Sequence, residues 1–198
     1  MASASSIHLR SSDALIAVDV QNDFLPGGSL AVPQGDAVIP ALNRYLAAFA
    51  ARALPVFATR DWHPPNHCSF KAQGGIWPPH CVAGTSGAEF APGLALPQTS
   101  VVISKADTAA ADSYSGFGGT DLAARLRACG ATRLLIGGLA TDYCVLNTVR
   151  DAIAAQFDVL LLVDAVRAVG VKPGDGERAL AEMQRLGARP MAYADLAP

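Results

Sequence analysis

The fold of this chain is decided by residues 134–145, which are Leu134-Leu135-Ile136-Gly137-Gly138-Leu139-Ala140-Thr141-Asp142-Tyr143-Cys144-Val145. The short apolar run, the two glycines and the helical pattern after them predict a strand that feeds the start of a helix. Backbone N–H groups are unpaired at a helix start and the macrodipole is positive there, so a thiolate is favoured. Cys144 is therefore a candidate nucleophile, and a buried cysteine that only packs is the alternative.

The composition excludes several classes of protein. Of the 198 residues, 51% are hydrophobic and 16% are charged, which indicates a globular domain and not a disordered chain. The formal net charge of -2 gives no electrostatic basis for binding nucleic acid or an anionic membrane. Residues 1–12 lack the apolar core of a signal peptide, and no apolar run is long enough to span a bilayer. We expect a soluble, cytoplasmic protein with reduced thiols that acts on a small molecule.

Apolar runs and amphipathic stretches alternate along the chain. Strands are predicted at 14–20, 55–59, 101–104, 134–136, 159–163 and 189–193, and helices after residue 36, at 121–129, after Cys144 and at 176–186. Buried strands that alternate with helices are typical of a parallel sheet covered on both faces. We therefore predict an N-terminal tail, residues 1–12, followed by one three-layer α/β/α domain, residues 13–198, with a mostly parallel sheet.

Chemically active side chains occur at or just after the ends of four predicted strands. They are Asp19, Asp61, Lys105 and Cys144. In open parallel sheets, functional groups gather at the carboxyl ends of the strands, so we expect these four to meet. An exposed aspartate that caps a loop is the alternative for Asp19, and a solvated surface charge is the alternative for Lys105.

If these residues meet, they can perform acyl transfer. Lys105 would offset the buried negative charge and lower the pKa of the Cys144 thiol. Asp19 would accept the thiol proton and later give it to a departing amine. The N–H groups of Ala140 and Cys144 would hold a carbonyl oxyanion. Such a site would act through a thioester, most naturally on an amide.

A second cluster has the composition of a metal site. Asp61 and His63 are two residues apart, so an extended segment points both to one face, and His80 follows in a proline-bounded segment. One carboxylate and two imidazoles suit zinc, iron or manganese. A purely structural role is the alternative, because Asp-x-His pairs are common.

These motifs together resemble a known family. The segments Asp19-Val20-Gln21-Asn22-Asp23-Phe24, Asp61-Trp62-His63-Pro64, Trp77-Pro78-Pro79-His80-Cys81, Lys105 and Ala140-Thr141-Asp142-Tyr143-Cys144-Val145 resemble the nicotinamidase branch of the isochorismatase-like cysteine hydrolases. The likeness spans residues 13–191. It implies a Rossmann-like, six-stranded parallel sheet, a catalytic triad of Asp19, Lys105 and Cys144, and a cis peptide between Leu139 and Ala140.

The same resemblance implies a substrate. One divalent metal ion, zinc or alternatively iron or manganese, would be held by Asp61, His63 and His80 and would take the pyridine nitrogen of nicotinamide. Phe24, Trp77, Tyr114 and Leu139 would bind the ring. The implied reaction converts nicotinamide to nicotinate and ammonia, a step of NAD salvage, and pyrazinamide should also be accepted. A homo-oligomer is common for this fold.

Some assignments stay open. Some relatives recruit a fourth protein ligand to the metal, for which His67 is the evident candidate, and we expect that His67 is not a ligand. Packing is the expected role of Cys68, Cys81 and Cys129. The rival functions are an amidohydrolase for carbamoyl or ureido compounds, an isochorismatase, a hydrolase that uses metal-bound water with a structural Cys144, and a non-catalytic binding protein.

Overall fold

The computed structural model describes residues 6–197, in which strands and helices alternate as predicted. The strands are β1 (Asp13–Val18), β2 (Val56–Asp61), β3 (Val101–Lys105), β4 (Arg133–Leu139), β5 (Asp158–Arg167) and β6 (Arg189–Met191). The helices are α1 (Val38–Ala50), α2 (Leu122–Ala128), α3 (Leu146–Ala154) and α4 (Asp175–Leu186). None of these helices is both long enough and apolar enough to cross a membrane.

The six strands form one sheet in the order β3-β2-β1-β4-β5-β6, and every neighbouring pair is parallel. The Rossmann-like fold prediction is therefore confirmed. The direction of strand addition reverses between β1 and β4, and ligands of open α/β sheets bind outside the carboxyl ends of the strands at such a switch point.

Two apolar clusters cover the two faces of the sheet. One contains Leu15 and Leu135 with the inner face of α1, and the other contains Ile16 and Ile136 with residues of α2, α3 and α4. Adjacent residues of a strand face opposite sides, so both faces of β1 and β4 are apolar and buried. This arrangement is the predicted three-layer domain.

The junction between β4 and α3 differs from the predicted direct entry into an α-helix. Residues Thr141–Val145 form one turn of π-helix before α3 begins at Leu146. Gly138 has a φ of +126°, and a Cβ atom there would lie 2.1 Å from the carbonyl oxygen of Val18. Only glycine allows this close approach of β4 to β1, which brings residues 140–144 over the end of β1.

Strand β5 is longer than the predicted 159–163. Its pairing with β4 shifts register, because Ile136 pairs with Leu161 whereas Gly138 pairs with Val166. The extra residues of β5 bulge opposite Gly137, and the strand then continues beyond Asp164, where the sequence predicts that it ends.

The connection from β2 to β3, residues 62–100, lies wholly within the described residues and contains no α-helix and no strand of the sheet. Its backbone forms short turns and isolated bridges. One bridge joins His63 to Val82 and another joins Phe70 to Trp77. The connection carries most of the histidines to the edge of the sheet where β1 and β2 end. Residues 1–5 of the predicted tail and residue 198 lie outside the described residues, and the division into tail and domain stays a prediction.

Candidate active site

Four polar side chains meet at the carboxyl edge of the sheet. Asp19 directly follows β1, Asp61 ends β2, Lys105 ends β3, and Cys144 lies in the π-helical turn after β4. All four are buried. The expectation that these strand ends converge is met, because β1, β2, β3 and β4 are consecutive in the sheet.

Lys105 is at the centre of this group. Its Nζ atom lies 3.1 Å from Asp19 Oδ2, 2.5 Å from Asp61 Oδ1 and 3.6 Å from Cys144 Sγ. It also donates a hydrogen bond of 3.1 Å to the carbonyl oxygen of Ser113. A buried ammonium group needs such partners, and the two carboxylates offset its charge.

The ionisation of these groups is shifted by burial and by their mutual charges. Burial raises the pKa of Asp19, and the Lys105 ammonium only partly opposes that shift. Burial also raises the pKa of the Cys144 thiol well above its usual value, against the lowering effect of Lys105. The net shift of Cys144 is thus opposite to the expected lowering, because desolvation of the thiolate outweighs the nearby cation.

The other two charged groups are held in their ionised forms. Although burial disfavours the charge of Asp61, Lys105 and His63 keep the pKa of its carboxyl below the usual range. Burial likewise opposes the charge of Lys105, but Asp19 and Asp61 keep the pKa of its ammonium well above normal. The ion pairs therefore decide both ionisation states.

Two polar residues without an assigned role in the sequence analysis support the site. Thr59 donates a 2.6 Å hydrogen bond from its hydroxyl to Asp19 Oδ1. The Gln21 side chain accepts from Asp61 N–H at 2.8 Å and donates to the carbonyl oxygens of Asp61 and Ala88 at 2.8 and 2.9 Å. The sequence signal for Thr59 is a polar residue within an apolar strand. The signal for Gln21 is a polar residue two positions after Asp19.

Asp61, His63 and His80 form the predicted cluster of metal-binding side chains. One potential ligand atom from each lies within 4.8 Å of the others, and all three residues are buried. Nδ1 of His63 lies 3.0 Å from the carbonyl oxygen of Ala106, and Nδ1 of His80 lies 2.8 Å from that of Pro78. A carbonyl partner fixes the proton on Nδ1, which leaves Nε2 of each ring as a ligand atom, as is usual for metal-bound histidines.

His67 lies beside this cluster but does not offer it a free nitrogen. Its ring stacks on that of His63 with centroids 4.2 Å apart. Nδ1 lies 2.8 Å from the Ser69 hydroxyl and Nε2 lies 3.2 Å from the carbonyl oxygen of Ala111. Both ring nitrogens therefore have partners within the protein, and the expectation that His67 is not a ligand stays a prediction.

A small pocket opens onto both the thiol and the metal-binding cluster. Its lining consists of Phe24, Leu30, Asp61, Trp77, His80, Tyr114, Ala140, Tyr143, Cys144 and Val169. Trp77 donates a 2.9 Å hydrogen bond to the Tyr114 hydroxyl, and the Tyr143 ring packs edge-on against Trp77. These aromatic walls suit a flat ring. Of the predicted ring-binding residues, three line the pocket, and Tyr143 is an aromatic wall that the sequence analysis missed.

Leu139 is the predicted ring-binding residue that the structure does not bring to the pocket. It is fully buried in the apolar cluster that contains the inner face of α1, because the last residue of β4 points into that face of the sheet. Ala140, the next residue, does line the pocket, and the peptide bond between the two is cis.

All four cysteines are free, but they differ in burial. Cys81 is fully buried in the core, as expected for a packing residue, and Cys68 is half-buried. Cys129 is exposed, so the expectation that it packs is wrong. It directly follows the last turn of α2, where its neighbours give it no cover.

Comparison with known proteins gives close matches over nearly the whole chain. Residues 13–195 match the model of the isochorismatase domain. The nicotinamidase of Escherichia coli (strain K12) is 38% identical over 203 residues, covering 92% of this chain and 95% of that protein. A crystal structure of the pyrazinamidase of Pyrococcus horikoshii in complex with zinc is 50% identical with a TM-score of 0.88, covering 92% of this chain and 99% of that chain. A crystal structure of PnC1 from L. infantum in complex with nicotinate is 39% identical with a TM-score of 0.90, covering 97% and 98%.

Proposed function

The chain belongs to the isochorismatase family, and on that basis we propose that it is a metal-dependent cysteine amidohydrolase that converts nicotinamide to nicotinate and ammonia. Pyrazinamide, which carries the same carboxamide on a related ring, is the second substrate that we propose. The similarity to a nicotinamidase, to a zinc-bound pyrazinamidase and to a nicotinate complex supports this substrate class.

One observation carries the proposal. A single aromatic pocket is lined at once by Cys144 and by Asp61 and His80 of the metal-binding cluster. Nicotinamide has a ring nitrogen on one side and a carboxamide on the other, so it can address both groups at the same time. A substrate without a ring nitrogen would leave one of them unused.

The residues of the metal-binding cluster fit a divalent ion. Asp61, His63 and His80 offer one carboxylate and two imidazoles, and the Nδ1 partners of both rings leave Nε2 available. This donor set is typical of zinc sites with open positions, and iron and manganese are alternatives. A bound ion would supply a Lewis acid for the pyridine nitrogen and would thereby orient the ring.

The chain's own residues carry the bond-making steps. Asp19 accepts the proton of the Cys144 thiol, whose sulfur attacks the carboxamide carbon. The N–H groups of Ala140 and Cys144 hold the resulting oxyanion, and Asp19 returns the proton to the departing ammonia. Water then attacks the thioester with Asp19 as base, which releases nicotinate and restores the thiol. Lys105 stays charged and stabilises each anionic state.

The raised pKa values support these roles of Asp19 and Cys144. Burial raises the pKa of the Asp19 carboxyl, which makes it a better proton acceptor than an exposed aspartate. Burial favours the protonated form of the Cys144 thiol, so we place the proton transfer to Asp19 within the attack step. Side-chain atoms of Asp19 and Cys144 lie within 4.8 Å of each other, which supports direct transfer after a small movement. The nicotinate produced would enter NAD salvage.

The test is ammonia release from nicotinamide by the purified protein before chelation, after chelation, and after addition of zinc, iron or manganese. We expect release that falls on chelation and returns with one of these metals. Benzamide, which lacks the ring nitrogen, is the matched control substrate and should be hydrolysed far more slowly. If no metal condition yields ammonia from nicotinamide, whereas a carbamoyl or ureido compound is hydrolysed, the proposal is wrong and the rival amidohydrolase function replaces it.

A further inference from the structure

The loop between β5 and α4, residues 168–174, supplies one wall of the substrate pocket although most of it is exposed. Val169 is half-buried, packs against the apolar core and lines the pocket together with Cys144. Val171, two residues further, is 62% exposed. A wall on such a segment keeps its place only if something holds its backbone.

The side chain of Asp142 makes that attachment. Its Oδ1 accepts a 2.9 Å hydrogen bond from Val169 N–H, and its Oδ2 accepts one of 2.9 Å from Gly170 N–H. Within the described residues, these are the hydrogen bonds that join residues 169–171 to another segment. Gly170 has a φ of +65°, a conformation that glycine adopts without strain.

The position of Asp142 links this wall to the nucleophile. Asp142 and Cys144 lie in the same π-helical turn, two residues apart, and Tyr143 between them lines the pocket. A carboxylate that accepts two N–H groups forms charge-assisted hydrogen bonds, which are stronger than neutral ones. The turn that carries the thiol therefore also fixes the distance from the thiol to the Val169 wall.

We propose that Asp142 is a positioning residue that clamps Val169 against the substrate ring and so sets substrate affinity. The proposal rests on the proposed function, because it assigns a role in binding nicotinamide in the same pocket. An acidic residue at the start of a helix also interacts with the macrodipole. That effect requires only a charge, whereas the clamp requires both carboxylate oxygens to face the two N–H groups.

Asp175, the first residue of α4, provides a matched control at the end of the same loop. Its Oδ2 accepts a 2.7 Å hydrogen bond from Lys172 N–H, and its Oδ1 pairs with Arg178. It therefore holds the other end of the loop, away from Val169, and it does not line the substrate pocket. Asp175→Asn should leave both the affinity for nicotinamide and the exchange of the Val169 amide unchanged.

Two measurements on Asp142→Ala test the clamp. In hydrogen exchange, the amides of Val169 and Gly170 should lose protection by about 10-fold or more relative to the wild type. In steady-state hydrolysis of nicotinamide, KM should rise about 10-fold, the size expected when an apolar pocket loses one contact, while kcat changes by less than about 3-fold. Asp142→Asn keeps one acceptor oxygen and should give intermediate values. Val169→Ala should raise KM without changing the exchange of Gly170.

Unchanged exchange at both amides in Asp142→Ala would overturn the clamp. Faster exchange with an unchanged KM would overturn its role in substrate binding. If Asp142→Ala does not fold, Asp142→Asn decides by the same criteria, and an unchanged KM in Val169→Ala would overturn the role of the Val169 wall in substrate binding. If the wild type does not hydrolyse nicotinamide, the proposed function fails, and the exchange measurements still decide whether Asp142 holds the loop.

Discussion

Asp61 and Lys105 are register partners in the neighbouring parallel strands β2 and β3, and their side chains form an ion pair of 2.5 Å. Asp61 therefore belongs to two groups at once. One of its oxygens pairs with the lysine beside Cys144, and the other lies 3.7 Å from Nε2 of His63. Because one carboxylate joins the metal-binding cluster to the proposed triad, a substitution in either group should alter the electrostatics of the other.

Replacement of the proposed nucleophile should abolish turnover without unfolding the protein. Cys144→Ala should lower kcat by about 1,000-fold or more, because no other group forms the thioester. Metal content and the unfolding midpoint should stay near the wild-type values. Cys129→Ala, at the exposed cysteine, is the matched control and should keep full activity. Substantial activity in metal-loaded Cys144→Ala would instead favour attack by metal-bound water.

The affinity for zinc should depend strongly on His80 and only weakly on His67. His80→Ala removes a proposed ligand, so the dissociation constant of zinc should rise by more than about 100-fold. His67→Ala removes only the ring stacked on His63, and we expect a rise of less than about 10-fold. Competition with a chromophoric chelator measures both constants without any assay of activity. Equal losses in the two variants would mean that His67 is a ligand after all.

Gln21 should matter for both stability and metal affinity. In Gln21→Leu, buried backbone groups of Asp61 and Ala88 lose their partners, and we expect a loss of about 3 kcal/mol in the free energy of unfolding. The affinity for zinc should fall about 10-fold because Asp61 is no longer held in position. Gln184→Leu on the exposed face of α4 makes the same chemical change and should alter stability by less than about 0.5 kcal/mol. A metal affinity equal to that of the wild type in Gln21→Leu would refute the positioning role of Gln21.

Ionisation of the Tyr45 hydroxyl should lower the free energy of unfolding at alkaline pH. Burial, with the hydrogen bond of 2.9 Å to Asp164, raises the pKa of the Tyr45 hydroxyl far above its usual value. The stability that this protonated hydroxyl confers is fully present below the unfolded-state pKa of about 10. It is lost as the pH rises from there towards the folded-state pKa, by about 1.4 kcal/mol per pH unit.

Urea unfolding of the wild type and of Tyr45→Phe at a series of pH values measures this effect. The variant should be less stable by about 1 kcal/mol near neutral pH, because the hydrogen bond to Asp164 is lost. Above about pH 10 its stability should fall less steeply than that of the wild type. Parallel curves for the two proteins would mean that Tyr45 does not titrate differently in the folded and unfolded states.

The sequence was informative where the signal is local. The apolar runs of β1 and β4 predict strands buried on both faces, and the polar residues that follow them predict the edge at which the site forms. Strand ends were less predictable, since β5 continues past Asp164 only because its register shifts against β4. The π-helical turn at Thr141–Val145, which follows the close approach of Gly138 to β1, was likewise not predicted.

Within the candidate site, the identity of the residues was more predictable than their contacts. Asp19, Lys105 and Cys144, and likewise Asp61, His63 and His80, could be selected from residue type, strand ends and family motifs. The prediction that Leu139 binds the ring was wrong because its side chain points into the apolar core, whereas the next residue, Ala140, lines the pocket. Thr59, Gln21 and Tyr143 were missed because their roles depend on partners that are distant in the sequence.

The amino-acid sequence by itself determined that this chain forms a parallel α/β sheet and which polar residues stand at its carboxyl edge, because both follow from patterns a few residues long. Tertiary structure alone decided that Asp61 is shared by Lys105 and the metal-binding cluster, and that Asp142 holds Val169. It also decided that burial outweighs the lysine and raises the pKa of Cys144. The physical reason is that charge interactions, desolvation and hydrogen bonds depend on distances between segments, and strand order and packing set those distances.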